Sequence, residues 1–314
     1  LQMSLPQYSI VTESSVTPLV WQQFADLVRA EHWTSDDNTV LGLLPGLAST
    51  RAVVAVKDED GSFLCGVVWN EYDGIAFIGF YLTHPDVRGK GLGSIVWERA
   101  LARMPPDYNI GLRAVPEMKD KYQARTCPHQ VSVLCKYEVS PAQLREICST
   151  AAIPSGSSIK RVGDFSDDEF KEMLRFDRGV TGRDRSQFLP LFYRFDRTEG
   201  YGLFDEKDRM IAIAAVTSTG FHAENRFKIA PVYASNLNDA LCVMRPLADV
   251  CERYSQGAKV FILPLTDTAG AELEKRLPPA LPEKGWTLFS TEFSNTIKPE
   301  LCYVPHNNSS HFDA

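Results

Sequence analysis

No run of 18 apolar residues occurs in the 314-residue chain, so no helix long enough to span a bilayer is expected. The seven cysteines, at 65, 127, 135, 148, 242, 251 and 302, include no C-x-x-C pair, and their number is odd. Neither a disulfide framework nor a zinc site is predicted; the cysteines read as small core residues in a reducing compartment. None of the six histidines stands four residues from another, so no metal is expected. Positive charge is also in deficit, with 33 Lys and Arg against 40 Asp and Glu and a net charge of −7. That balance argues against nucleic acid as a partner and would draw in a cationic amine. The opening Leu1-Gln2-Met3-Ser4 has neither a basic region nor an apolar core. No signal peptide is expected, Leu1-Gln2 reads as a vector remnant, and the expected location is the cytoplasm, away from membranes.

The informative segment is residues 75–104. An apolar run, Ile75 to Leu82, leads through Thr83-His-Pro-Asp-Val87 into Arg88-Gly-Lys-Gly-Leu-Gly93, and an amphipathic stretch, Ser94 to Met104, follows at once. That order predicts strand, glycine-rich turn, helix. Glycines let backbone N–H groups converge, and the helix after them points its positive end into the same space. The combination suits an anion, and a pyrophosphate in particular. A dinucleotide fingerprint would need G-x-G-x-x-G and an acidic residue about 20 positions on. Arg113 stands there instead, and the Lys-Ser/Thr of a P-loop is absent.

The stretch Tyr81-Leu-Thr-His-Pro-Asp-Val-Arg88-Gly-Lys-Gly91-Leu-Gly93 resembles the cofactor motif of the GNAT acetyltransferase superfamily, with Arg88, Gly91 and Gly93 in its key places. The close match covers about 30 residues and the order of elements about the first 140. The resemblance implies that Arg88, Gly89, Lys90, Gly91, Leu92, Gly93 and Ser94 hold the pyrophosphate of acetyl-CoA. It implies that Tyr81, Leu82 and Thr83 run beside the pantetheine arm, and that a backbone N–H near Leu82 polarises the thioester. No metal is implied.

The length predicts two domains, and the two halves repeat one order of elements. In the first, strand Tyr8–Glu13 precedes a helix from about Pro18, and Ser35-Asp-Asp begins a second helix. Strands Arg51–Val56 and Phe63–Trp69 form a hairpin, followed by the key strand and helix. Strand Asn109–Ala114, helix Pro116–Ala124 and strand Val131–Val139 complete it. Residues 1–139 are expected to form the cofactor domain, 140–158 a linker with one short helix, and 159–314 a second domain. In that second half, Phe227–Tyr233 is the equivalent strand, and Leu237, Ala240, Leu241, Met244, Leu247, Ala248, Cys251 and Tyr254 form one apolar stripe. Only Ala234, Ser235 and Asn236 join them. The half resembles the C-terminal domain of tandem GNAT-like proteins of the YitH type, with its cofactor loop lost. The expected fold is therefore mixed-sheet α/β in two tandem GNAT-like domains.

Acetyl transfer to an amine needs a polarised carbonyl, a neutral amine and a protonated leaving thiolate. The resemblance points to Tyr122 as the acid, because GNAT proteins often carry a Tyr on the helix after the fifth strand. The usual Gly-Phe after it is replaced by Thr126-Cys127. A Tyr packed into the core reads as well. Glu71, at a strand end, and His84, between strand and loop, are base candidates; each also reads as an ordinary surface residue, and water alone can serve. Arg99 and Arg103 face either a CoA phosphate or solvent. Asp177, Asp184 and Arg185 line an acceptor pocket or hold two helices by ion pairs. The expected function is N-acetyl transfer to a small-molecule amine in a ternary complex, with homodimer formation left open. The alternatives are a protein lysine or N-terminal acceptor, and a non-catalytic acyl-CoA-binding protein.

Overall fold

The computed structural model describes residues 4–34, 39–220, 224–294 and 296–306. The expected helix start at Ser35-Asp-Asp lies outside the described residues. In chain order the strands and helices are β1 (Tyr8–Thr12), α1 (Pro18–Ala30), α2 (Leu44–Gly46), β2 (Thr50–Lys57), β3 (Phe63–Tyr72), β4 (Ile75–Thr83), α3 (Leu92–Arg103), β5 (Asn109–Ala114), α4 (Lys119–Arg125), β6 (His129–Cys135), β7 (Tyr137–Val139) and α5 (Pro141–Ile147). Then come β8 (Ser158–Arg161), α6 (Asp167–Thr181), α7 (Phe188–Phe192), β9 (Thr198–Phe204), β10 (Met210–Ser218), β11 (Arg226–Ala234), α8 (Leu237–Tyr254), β12 (Lys259–Ile262), α9 (Gly270–Glu274), β13 (Lys284–Phe289) and β14 (Cys302–Val304).

Local chemistry sets many of these ends. Thr17 caps α1 by accepting from the Val20 amide at 3.3 Å, with Pro18 in the first turn. Ser166 and Glu169 close a capping box on α6. Asn236 caps α8, whose apolar stripe is buried from Ala240 to Cys251.

Two mixed sheets result. The first runs β1-β2-β3-β4-β5-β13-β6, and the second β7-β12-β11-β10-β9-β8, with β14 paired to β11. The expected single strand Val131–Val139 is therefore two strands in two sheets. It breaks at Lys136, and β7 crosses to pair with β12. In exchange β13, from the far end of the chain, enters the first sheet between β5 and β6. The sheets are also joined at their edges, where the Cys135 amide donates to the Pro264 carbonyl and the Thr266 amide to that of Val133, each at 3.0 Å. The expected linker helix α5 packs against α8, its Arg145 bridging Asp249 and Glu252.

Each sheet is covered on both faces. In the first, α3 packs on one face against Val67, Trp69, Ile78 and Leu112, and α1 on the other against Val54, Val68, Phe80 and Leu82. Leu43 and Leu47, beside α2, join the core under α6 and α7 of the second half. Burying a side chain of that size contributes about 1.5–3 kcal/mol. The two halves therefore share apolar contacts as well as strands.

Candidate active site

β4 and β5 pair in parallel only from Ile75–Asn109 to Ile78–Leu112, although both continue beyond. At the same level the β3–β4 register slips, with Val68 opposite Phe80 and Trp69 opposite Ile78, so Gly79 is the extra residue of a bulge. The bulge exchanges which β4 amides point toward β5. Before it, Gly74 accepts from the Asn109 amide at 2.9 Å, so even-numbered residues face β5. After it, the His84 amide donates to the Leu64 carbonyl at 2.8 Å, which turns His84, Leu82 and Phe80 toward β3. Tyr81 and Thr83 then face the gap. Near Leu82, where a polarising amide is expected, the amides that face the gap are thus those of Tyr81 and Thr83, while the Leu82 amide faces β3.

The gap leads to the glycine loop. Gly89 and Gly91 adopt φ of +74° and +84°, which glycine alone adopts without strain, and a Cβ at either would project into open space. Gly91 is the N-cap of α3, and among the described residues no acceptor is bonded to the amides of Gly91, Leu92 and Gly93. Leu92 anchors the turn in the core, while Ser94 and Gly89 are exposed and Lys90 is half-buried. Such a loop can hold an anion by its amides and the helix dipole together. Arg88 is tied at the start of the loop. Its Nε donates to the Thr83 carbonyl at 2.9 Å and its Nη2 binds Glu31, so it fastens the loop to β4 and α1.

On the α3 face of this slot three rings lie in a row. Tyr81 is 5.0 Å from Trp97, and Trp97 is 5.4 Å from Tyr122, ring centre to ring centre. The Tyr81 hydroxyl would lie 2.5 Å from a Cβ at position 93, so any larger residue there would have to displace it. Burial, followed by the nearby Tyr81 and Cys127, pushes the Tyr122 phenol well above its ordinary range, so it is protonated at neutral pH. The Thr126-Cys127 replacement is accommodated: both amides bond to the Tyr122 carbonyl, and the Cys127 thiol is buried in the core.

The other expected site residues are occupied elsewhere. Glu71 pairs with Arg51 at 3.2 Å and accepts from the Trp69 indole at 2.9 Å, opposite Ala76 and short of the gap. His84 caps the short turn Pro85–Val87 through the Asp86 amide. Arg103 binds Glu13 and the Ala52 carbonyl at 2.8 Å each, whereas Arg99 is exposed. Asp177 and Arg185 form a buried bidentate pair that also engages the Tyr233 hydroxyl at 3.1 Å, so they serve the core of the second half. Asp184 is exposed and caps the Ser186 amide. Sequence reasoning missed a second ring cluster: Phe289 lies against Gly111, stacked on Phe293 and tilted 51° to Phe77, and Arg183 lies over the Tyr72 and Phe293 rings. Phe289 sits on β13, so only the strand exchange brings it there.

No family model matches the chain. A Caenorhabditis elegans protein, "Uncharacterized protein F36G3.2", is 37% identical over 317 residues, which cover 99% of this chain and all of that protein. The chain belongs to the F36G3.2 family. The holothin acyltransferase of Pseudoalteromonas sp. (strain SANK 73390) is 25% identical over 77% of this chain and 74% of its own length. Among solved structures, a putative acetyltransferase from Pyrococcus horikoshii matches with a TM-score of 0.68 and 15% identity over 99% of this chain and 98% of its own. A tandem GNAT protein from the clavulanic acid biosynthesis pathway matches with a TM-score of 0.67 and 14% identity over 92% of this chain and all of its own. This F36G3.2-family chain therefore has a tandem GNAT acetyltransferase fold, and a distant acyltransferase homologue accompanies it.

Proposed function

We propose that the protein is an N-acyltransferase that takes acetyl-CoA as donor and a small amine as acceptor, with one cofactor site per chain in the first sheet. The observation that carries this is the open gap between β4 and β5, which ends at unbonded amides on the α3 N-terminus. Bound there, acetyl-CoA supplies an activated acyl group. The amides of Gly91 to Gly93 hold its pyrophosphate, and the Tyr81 amide polarises the thioester carbonyl as its oxygen gains charge. The Tyr122 hydroxyl gives its proton to the departing thiolate, whose acid lies near pKa 8.5. Glu71 and His84 already engage Arg51, the Trp69 indole and the Asp86 amide, so on this reading water takes the proton of the amine.

A small acceptor is supported by the closed end below the gap. Tyr72, Phe77, Phe289 and Phe293 cluster there, where β4 and β5 are paired, with Arg183 of the second half over Tyr72 and Phe293. A closed end suits a compact amine better than a protein tail. The second half, on this reading, binds no cofactor and closes the acceptor side.

The test is thiol release from acetyl-CoA by the full chain against a broad panel of amines, with calorimetry for the cofactor. One cofactor per chain and release with a small amine are expected. Binding without release on any amine would leave a non-catalytic acyl-CoA-binding protein instead.

A further inference from the structure

We propose that Trp97 is a positioning residue for Tyr122, the middle ring of a layer that aims the Tyr122 hydroxyl across the gap between β4 and β5. The inference rests on the acyl-transfer reading above. The Tyr122 ring packs on the core of the first sheet, but little in its own helix orients it. Its helix, α4, is seven residues long, has no side-chain cap and buries none of its residues fully. A helix that short has little stability of its own. Among the described residues no hydrogen bond holds the Tyr122 hydroxyl, so ring contacts must fix its direction.

Trp97 is well placed to supply them. It lies on the 12-residue α3, which is anchored by the buried Leu92, Val96 and Ala100. Its ring is tilted 32° to Tyr122 on one side and 45° to Tyr81 on the other. Offset pairs of this kind are specific in geometry as well as favourable. Tyr81 is held in turn, because its hydroxyl sits against Gly93 beside Thr83. The row therefore runs from a fixed strand, over a fixed helix, to a short helix that needs fixing. Trp97 donates no proton and touches no reacting atom; it keeps the phenol where the leaving sulfur will be.

Four measurements on the full chain test this. In thiol release, Trp97→Leu should lower kcat on the order of 10- to 100-fold, the scale of a displaced catalytic group, with the calorimetric Kd for acetyl-CoA unchanged. Trp97→Phe, which keeps a flat ring, should restore most of the rate. Trp97→Leu in a Tyr122→Phe background should cost nothing further, because the group it positions is already gone. In the cofactor-free protein, phenolate absorbance assigned to Tyr122 by difference from Tyr122→Phe should move down toward about 10 in Trp97→Leu. If the leucine variant fails to fold, Trp97→Met gives the same comparison. A folded Trp97→Leu with wild-type kcat and unchanged titration, or a double variant with additive losses, overturns the positioning role alone. A Tyr122→Phe variant with wild-type kcat overturns the acid assignment on which it rests.

Discussion

β4 and β11 hold the same place in the two sheets, yet only one of them borders an open gap. Each pairs in parallel with its neighbour over a short stretch, to Ile78–Leu112 in the first sheet and to Ile229–Ile262 in the second. Each carries an irregularity at that level, Gly79 in β4 and Ala230-Pro231 in β11. Beyond it β4 stays unpaired toward β5, whereas β11 is joined through Val232 and Tyr233 by β14. The helices that follow differ in the same sense. α3 begins at bare glycine amides. α8 begins at Asn236, with the Asp239 carboxylate buried in its first turn and bonded to Asn236 and Asn238. A buried carboxylate repels a phosphate where the first half would attract one. The same scaffold thus offers a slot in one half and fills it with its own chain in the other.

The sharpest way to break this comparison is at Gly91. Gly91→Val forces a branched residue into φ +84° and points its side chain into the loop, so calorimetry should detect no acetyl-CoA binding. A change at the corresponding turn of the second half, Ser235→Val, one residue before the Asn236 cap, should leave binding intact. A second equivalent site in the wild type, or binding by Gly91→Val, would end the asymmetry. Next in size is the buried pair of the second half. Arg185→Met leaves Asp177 uncompensated and should lower unfolding stability by about 3–5 kcal/mol, read by urea denaturation, with cofactor affinity unchanged if the pair serves only the core.

Tyr122→Phe should then reduce kcat on the order of 10²-fold with little change in cofactor affinity, because sulfur gains charge only as the bond breaks. Steady-state kinetics and calorimetry on one preparation check it. The smallest effect concerns Glu13. Burial alone would raise its pKa, but the Arg103 guanidinium and backbone donors bring it down from 4.5 to about 2. A carboxylate held down in the fold stabilises above its unfolded pKa and loses that contribution as pH falls. Between pH 4.5 and 2 the wild type should lose stability more steeply than Glu13→Gln, as acid melts would record.

What the chain discloses of itself divides along the same lines. The loop, its strand and its helix are contiguous, so glycine spacing and amphipathicity expose them directly, and the α8 stripe is equally plain. β13 and β14 escape such reading. They are six and three residues long, and their partners lie far away in sequence. Nothing local marks Lys136 as the point where one strand becomes two. The facing of Tyr81 and Leu82 depends on a single extra residue, Gly79, which changes the direction of every amide after it. Glu71 looked available from its place at a strand end, and only side-chain packing reveals its ties to Arg51 and Trp69.

The exchange of β7 and β13 also orders events in time. On a ribosome the chain emerges from its N-terminus, so β5 and β6 are made long before the strand that belongs between them. At about 5–20 residues per second, roughly 7–30 s pass between the two. During that interval the inner edges of β5 and β6 lack their partner, exposing unpaired amides and carbonyls of the kind that invite misassociation. The first sheet, which begins the chain, is therefore among the last parts of the molecule to be finished, and a nascent chain arrested before Lys284 would present an incomplete sheet to whatever chaperone attends it.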